Sequence, residues 1–463
     1  MMHTTHTMRM DSLQDYVRKK EQAVHEFATT SAHRVSTATI AIGGKKTSNL
    51  FRDRKQGIVK KINLARLNRV ISVDTVSRTA QVEGMTTYEE LVEQTLPFGL
   101  MPTVVPELKS ITIGGAVSGV GIEATSFRYG FVHETIKEME ILCGDGVVRT
   151  CSPDNTYADL FYGFPNSYGT LGYALKLTVS LIPIKRFVRV KHIPYQDATS
   201  FFTAIKAICE KTRNTDGLAD FIDGVAFERG IYYLNIGTFT DTAPTNSDYT
   251  YMGIYYRSLA HREEDFLTAH DYIWRWDTDW FWCSKVFGVQ NLVLRALVGP
   301  RFLRSTVYWK IKNLATRYKF TNLISRIKGN REPVIQDVEI PIERASEFMH
   351  FFHNEIGIKP IWICPTMPSE KNFDLFAVTP GQLYINFGFW DSVRSDKEEG
   401  YYNRLIEKKV QELGGKKSLY SSSYYPEDEF WTIYNKPAYT TLKTKYDPDG
   451  TFKNLFQKCV KRG

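Results

Sequence analysis

Thr112-Ile113-Gly114-Gly115-Ala116-Val117-Ser118-Gly119-Val120-Gly121-Ile122-Glu123 places four glycines within eight positions. It follows a turn-rich segment, 102–106, and precedes Ser126-Phe127-Arg128-Tyr129-Gly130. Glycine accepts positive φ and has no Cβ, so backbone here can come close to a bulky ligand. Taken alone, the same spacing also describes a tight loop between packed strands. The residues on either side decide between the two.

Upstream, Ala38-Thr39-Ile40-Ala41-Ile42 runs into Gly43-Gly44-Lys45-Lys46-Thr47-Ser48-Asn49, a strand opening into a glycine, hydroxyl and amide loop. Such a loop offers backbone N–H groups and two lysines to a phosphate, although its spacing is neither GxxxxGK[ST] nor GxGxxG. Alternating runs over 57–64, 69–74 and 79–84 predict successive strands. Residues 86–96 predict a helix capped by Thr86 or Thr87, with Glu89 and Glu90 in its first turn. Downstream, 137–142 and 147–151 flank the turn Gly144-Asp145-Gly146 as a hairpin. Gly169-Thr170-Leu171-Gly172 then leads into a strand that closes at Leu181-Ile182-Pro183.

A chain of 463 residues exceeds one ordinary core, so two or three domains are expected. Aromatic residues make up 13%, which suits either pockets for flat apolar ligands or an aromatic-rich core. A net charge of +8 without a basic tract or recognition motif argues against nucleic acid. It fits a phosphorylated cofactor, an anionic membrane surface or a merely solvated exterior. Six scattered cysteines with no CxxC pair indicate neither a zinc site nor a disulfide framework, and reduced thiols in the cytoplasm are the simplest reading. Residues 1–10 lack the apolar core of a signal peptide, and no run of about 18 apolar residues predicts a transmembrane helix. Residues 286–298 come nearest, interrupted by Gln290, Asn291 and Arg295.

The ordered set INLARLNRVISVD, VEG, GLMPTVVPELKSITIGGAVSGVGIEATSFRYG, EILCGDGVVRTCS, DLF and GTLGYALKLTVSLIP resembles the FAD-binding domain of vanillyl-alcohol-oxidase (PCMH-type) flavoproteins, over about 36–183. The resemblance implies an α+β fold: a two-subdomain FAD-binding domain plus an α+β cap, or substrate, domain. FAD contacts would come from Gly43, Gly44, Lys45, Lys46, Thr47 and Ser48. They would come also from Pro106, Thr112, Ile113, Gly114, Gly115, Gly119, Gly121, Ile122, Glu123, Ser126 and Tyr129, and from Gly169, Thr170 and Gly172. A diphosphate requires converging N–H donors with few side chains in the way, which agrees. Many members link flavin covalently through a histidine in the first loop. Lys45, Lys46 and Thr47 occupy that region here, and no cysteine lies between Gly99 and Gly115, so noncovalent FAD is expected.

Beyond Pro183 two β-α-β-β patterns are read, one over 188–237 and one over 334–389, as a single cap covering the flavin. The expected organisation is an N-terminal helical segment (1–30), the FAD-binding domain (31–185), the cap (186–400) and a C-terminal segment returning to the flavin domain (401–463). An aromatic, basic insert at 261–330 reads as helical with a break near Gly299-Pro300. Within these regions YIWRWDTDWFW, VIQDVEIPIE, KPIWICP, LYINFGFW and EFWTIYN are similar to the delta-24 sterol reductase (Diminuto/seladin) branch. Eukaryotic members of that branch begin with a membrane anchor, a feature not seen in residues 1–30.

That resemblance implies an enzyme in which NADPH, as a transient reductant, reduces FAD, and the flavin then reduces a carbon–carbon double bond in a sterol or other unsaturated lipid. The partner carbon must gain a proton from a side chain or ordered water. Asp337 and Glu339 are candidates, set against the reading of solvated edge carboxylates. Gln336 falls on the opposite strand face from Glu339, so either the carboxylates or Gln336 point inward. Tyr272 and Arg275 match the branch, with Arg275 either holding a phosphate or head group or forming a surface salt bridge. The aromatics Trp274, Trp276, Trp280, Phe281 and Trp282 read as a lipid pocket, a packed core or a membrane-contact face. The alternatives are a methylene-fatty-acyl reductase, an alcohol or lactone oxidase, or a non-enzymatic lipid-binding protein. The oligomeric state is left open.

Overall fold

Two antiparallel sheets and a small parallel pair are built from the alternating runs. The computed structural model describes residues 10–33, 38–43, 59–213, 215, 217–317 and 330–460. Gly44, Lys45, Lys46, Thr47 and Ser48 of the expected phosphate loop lie outside the described residues.

The first sheet runs in the order Val70–Asp74, Thr79–Glu83, Gly172–Pro183, Ile136–Cys143 and Val148–Cys151, with Leu100–Pro102 paired to the far end of Gly172–Pro183. That long strand is legible by its period of two, since Leu175, Leu177, Val179 and Leu181 are buried and the intervening residues are less so. Thr39–Gly43 and Val59–Asn63 form the parallel pair. The helix Met10–Ala32 covers the pair with Tyr16, Ala23 and Phe27, which share a core with Ile40 and Ile62. Tyr16 Oη donates to Glu140 at 2.8 Å and Lys19 pairs with Glu83 at 3.0 Å, tying the helix to the first sheet.

The second sheet has eight strands in the order Glu264–Thr268, Phe187–Tyr195, Ile231–Thr240, Phe221–Glu228, Ile361–Thr366, Tyr384–Arg394, Arg331–Pro341 and Lys416–Lys417. Its two β-α-β-β units meet where Phe221–Glu228 pairs with Ile361–Thr366. Helices Ala198–Arg213 and Ala345–Glu355 cover one face, burying Phe201, Phe202, Phe348 and Phe352 against Val338, Ile340, Phe387 and Phe389. Helix Tyr401–Glu412 adds Ile406 and Val410 to that core. The opposite face presents Val188, Val225, Trp362 and Cys364 to the core shared with the first sheet. The seam between the two sheets is therefore apolar on both sides, and the candidate site lies in it.

The insert differs from its helical expectation at its start. Glu264–Thr268 is an edge strand, because Asp265 and Leu267 point inward while their neighbours do not. Short helical turns follow, and the chain breaks at Gly299 (φ +74°) before helix Ser305–Arg317. The C-terminal segment, with helices Glu427–Ile433, Lys436–Tyr446 and Leu455–Cys459, contacts the first sheet's hairpin turn, where Gly144 N–H donates to Tyr446 O at 2.8 Å, and the parallel pair, where Ile40 N–H donates to Thr451 O at 2.9 Å. Among the described residues no helix is long and apolar enough to cross a membrane.

Candidate active site

The glycine stretch is not an open loop. Ile113–Ser118 forms a short helix starting after Thr112, and none of Gly114, Gly115, Gly119 and Gly121 has positive φ. Conformational freedom is thus not the reason for these glycines; close approach is. A Cβ on Gly114 would lie 2.6 Å from Gly84 O, and one on Gly121 would lie 2.7 Å from Val132 Cγ2. Packed this tightly, the segment turns Thr112, Gly115, Gly119, Gly121 and Ile122 toward a cavity.

That cavity is partly enclosed and partly open to solvent. The glycine backbone forms one wall. Phe281, Trp282, Trp362 and Trp390 contribute aromatic faces from the cap, and the polar groups are Glu107, Ser110, Tyr168, Asp337 and Tyr420. The aromatic wall is braced by itself: Phe281 and Trp390 meet edge-to-face at 4.4 Å, and Trp282 Nε1 donates to Trp390 O at 3.2 Å. Trp280 and Phe281 both adopt left-handed backbone (φ +47° and +59°), as do Asn166 and Tyr168. Bulky residues rarely accept that conformation, and its concentration at this cavity marks backbone held in place by the packing around it.

Behind the wall sits a buried ionic cluster. Arg275 donates to Asp223 at 2.7 Å, to Glu123 at 3.1 Å and to Tyr272 O at 2.9 Å, and its guanidinium lies 4.1 Å from the Tyr272 ring centre. Asp223 also accepts from Asn235 at 2.8 Å, and Trp362 Nε1 approaches it at 3.4 Å. Three carboxyls gather near one cation, since Glu107 hydrogen-bonds Glu123. In a dry interior they cannot all ionise beside a single guanidinium. Burial pushes the Glu107 carboxyl well above its usual range, and the neighbouring Glu123 charge adds to this. Glu107 is thus the carboxyl of this cluster that burial and its carboxyl neighbour favour in the neutral form, and it lines the cavity.

A second carboxyl with a raised pKa lines the same cavity from the second sheet. Val338 and Ile340 point to the helices, so the pleat sends Asp337 and Glu339 to the other face. Gln336 goes with the helix side, donating to Asn403 at 2.7 Å. Asp337 lines the cavity, and burial pushes its carboxyl up to about 7, with a hydrogen bond to Tyr420 opposing the shift. Room for it depends on Gly388, where a Cβ would lie 2.7 Å from Asp337 Oδ1. Glu339 sits deeper, receiving Thr366 Oγ1 at 2.8 Å and Asn386 Nδ2 at 2.9 Å, with burial pushing it up to about 8.

The cavity gathers Pro106, Thr112, Gly115, Gly119, Gly121, Ile122 and Asp337 from the residues expected in sequence. Ile113 and Gly114 lie behind the wall, packed on the first sheet. Glu123 is one layer back, with its N–H donating to Ser126 Oγ at 3.1 Å, and Tyr129 packs half-buried against the core. Tyr272 and Arg275 do not line the cavity; Arg275 is neither a surface salt bridge nor positioned to meet a ligand. Gly169 (φ +75°) and Thr170 follow Tyr168 and lead toward the C-terminal segment, where Lys443 Nζ donates to Thr170 O at 2.7 Å. Gly172 starts its strand opposite Cys143, and Gly43 ends its own beside Lys61. Of the aromatic run, Trp274, Trp276 and Trp280 are core and only Phe281 and Trp282 reach the cavity. Sequence reasoning missed Glu107, Tyr168, Gly388, Trp390 and Tyr420; for Glu107 the signal was its place beside Pro106 in PELKSITIGG.

A slot with glycine backbone on one side, indoles on the other and a few polar side chains between them fits a flat, polar-edged ring such as a flavin. Comparisons with known proteins agree. Residues 17–152 match the family described as FAD binding domain. The chain is 26% identical to mouse Delta(24)-sterol reductase over 476 aligned residues, covering 98% of this chain and 86% of that protein. It is 24% identical to the Arabidopsis thaliana Delta(24)-sterol reductase, covering 88% of this chain and 78% of that protein. Similarity to rice Cytokinin dehydrogenase 9, 27% identical, covers 43% of this chain and 39% of that protein. The fold is accordingly α+β, with an FAD binding domain matched over residues 17–152 and a second, eight-stranded sheet beyond it.

Proposed function

We propose that this chain, an FAD-binding oxidoreductase related to the Delta(24)-sterol reductases, reduces a carbon–carbon double bond in a sterol side chain or similar lipid with NADPH as reductant. The observation that carries the reading is Asp337: a carboxyl that burial pushes up to about 7, lining a cavity walled largely by glycine backbone and indole. An isolated alkene has no polar handle, so a largely apolar enclosure with an acid placed at its wall suits it.

Bound FAD supplies the two-electron chemistry, in which NADPH is oxidised and one alkene carbon is reduced. The protein's own contribution is placement and a proton. Gly115, Gly119 and Gly121 keep the wall free of side chains. Phe281, Trp282 and Trp390 exclude water from the apolar substrate. As the π bond breaks and the first carbon–hydrogen bond forms, Asp337 gives its proton to the second carbon and then recovers one from solvent. Tyr420 orients the carboxyl through its hydrogen bond. Glu339, Arg275 and Tyr272 act as positioning residues behind this surface.

The sign of the pH dependence follows. Asp337 donates only while protonated, so alkene reduction falls as pH rises through about 7. Asp337→Asn is expected to slow alkene reduction by about 10²–10⁴-fold, to lose that descending limb, and to leave NADPH oxidation in the first half-reaction unchanged. Turnover in deuterated water with mass spectrometry of the product checks the route. One solvent-derived deuterium is expected beside the carbon reduced from NADPH. Normal turnover by Asp337→Asn, with loss in Glu107→Gln instead, would move the role to Glu107.

A further inference from the structure

The helix Leu292–Val298 is built inside out. Its one charged residue, Arg295, is fully buried, held by both carboxylate oxygens of Asp279 at 2.7 and 2.9 Å and by Gly253 O at 3.2 Å. Its apolar side chains face outward: Leu292 is 60% exposed, Val293 69% and Leu297 78%. A surface helix meeting water shows the reverse arrangement. The chain on either side continues the pattern, with Val286, Phe302, Ile311 and Leu314 all exposed. Eight of the fifteen large apolar residues exposed in the described structure fall between Val286 and Leu314. Single exposed apolar residues need no explanation, but a run of this density marks a contact surface.

The charge of the same segment identifies what it contacts. Between Lys285 and Arg331 the sequence holds eleven lysines and arginines and no aspartate or glutamate. Against a chain total of +8, the remainder carries 8 − 11 = −3, so the basic excess of the molecule is concentrated here. Arg301 and Lys310 are exposed among the apolar side chains, while Arg295 is buried on Asp279 and Lys285 pairs with Asp391 at 2.7 Å. Apolar residues flanked by lysine and arginine match a bilayer interface with anionic headgroups. A second copy of this chain fits poorly, because a two-fold contact would set two basic segments against each other.

We propose that the outward face of Leu292–Val298, with Phe302 and the exposed residues of Ser305–Arg317, docks onto an anionic lipid bilayer. The surface is mechanically joined to the cavity: ten residues separate Leu292 from the cavity-lining Trp282. Asp277 accepts from Lys109 N–H at 3.0 Å, and Ser305 Oγ donates to the same carboxylate, so the glycine wall and the docking helix share an anchor. Docking would place the apolar cavity beside a membrane reservoir of lipid. The inference goes beyond the redox reading and does not rest on it, since binding is measured without turnover.

Flotation of the FAD-loaded protein with phosphatidylcholine vesicles, with and without phosphatidylserine, tests it. The protein should float with the phosphatidylserine vesicles, bind far less to phosphatidylcholine alone, and be released as salt is raised. Val293→Glu/Leu297→Glu should cut the bound fraction at least about ten-fold while melting temperature and flavin content are kept, because neither side chain packs inside. A wild-type protein that stays unbound overturns the proposal, as does a double variant that floats equally well. So does a lipid-free dimer that the double variant converts to monomer, which would make this face a self-association surface.

Discussion

Gly115→Val is expected to yield a folded but colourless protein. Gly115 lines the cavity from within the short helix Ile113–Ser118, on the wall proposed to hold the flavin ring. An isopropyl group there occupies ligand space, and within a helix the Gly-to-Val exchange itself changes backbone propensity by well under about 1 kcal/mol. The neighbouring glycines do not offer so clean a test. A side chain at Gly114 meets Gly84 O and one at Gly121 meets Val132, so those variants disturb the fold itself. Flavin-to-protein ratio after gel filtration should fall by more than about ten-fold. The melting temperature should match that of wild-type protein stripped of FAD, since only the ligand's stabilisation is lost. Full flavin content in Gly115→Val would remove this stretch from the cofactor site.

The largest effect on stability is expected from Arg275→Met. Methionine replaces the volume of the side chain but removes the cation that pairs with Asp223 and Glu123, all three of them buried. Breaking a buried ion pair from one side typically costs about 3–5 kcal/mol, because the remaining charges keep their desolvation penalty. The loss should shrink as pH falls. Without the guanidinium the folded-state carboxyls are raised above their unfolded values, so the folded protein binds more protons and acidification favours it. Urea unfolding at two pH values measures both parts. Adding Glu123→Gln and Asp223→Asn to Arg275→Met should recover much of the deficit, a coupling that simple loss of packing would not produce. An unchanged midpoint in the single variant would show that the cluster contributes nothing.

How far the sequence carried the structure depended on the distance between partners. The two β-α-β-β units were legible because alternation and amphipathic helices are local, and both fall where expected. Which face of Arg331–Pro341 looked inward was open, because a period of two separates Gln336 from Asp337 without saying where the helices pack. Arg275 could not be placed, since its carboxylate partners lie 52 and 152 residues away in the chain. The glycine stretch was legible as a close approach but not as a helix, since two glycines in six positions weaken helix propensity and packing against Gly84 overrides it. Residues 286–298 read as an interrupted apolar run, and only the burial of Arg295 revealed that the leucines face outward.

Anaerobic addition of NADPH to the FAD-loaded protein, followed by a sterol carrying a side-chain double bond, tests the central claim most directly. The expected result is loss of the yellow flavin absorbance with NADPH and its return in proportion to the alkene reduced. Colour that returns only when oxygen is admitted, with the alkene intact, would contradict it.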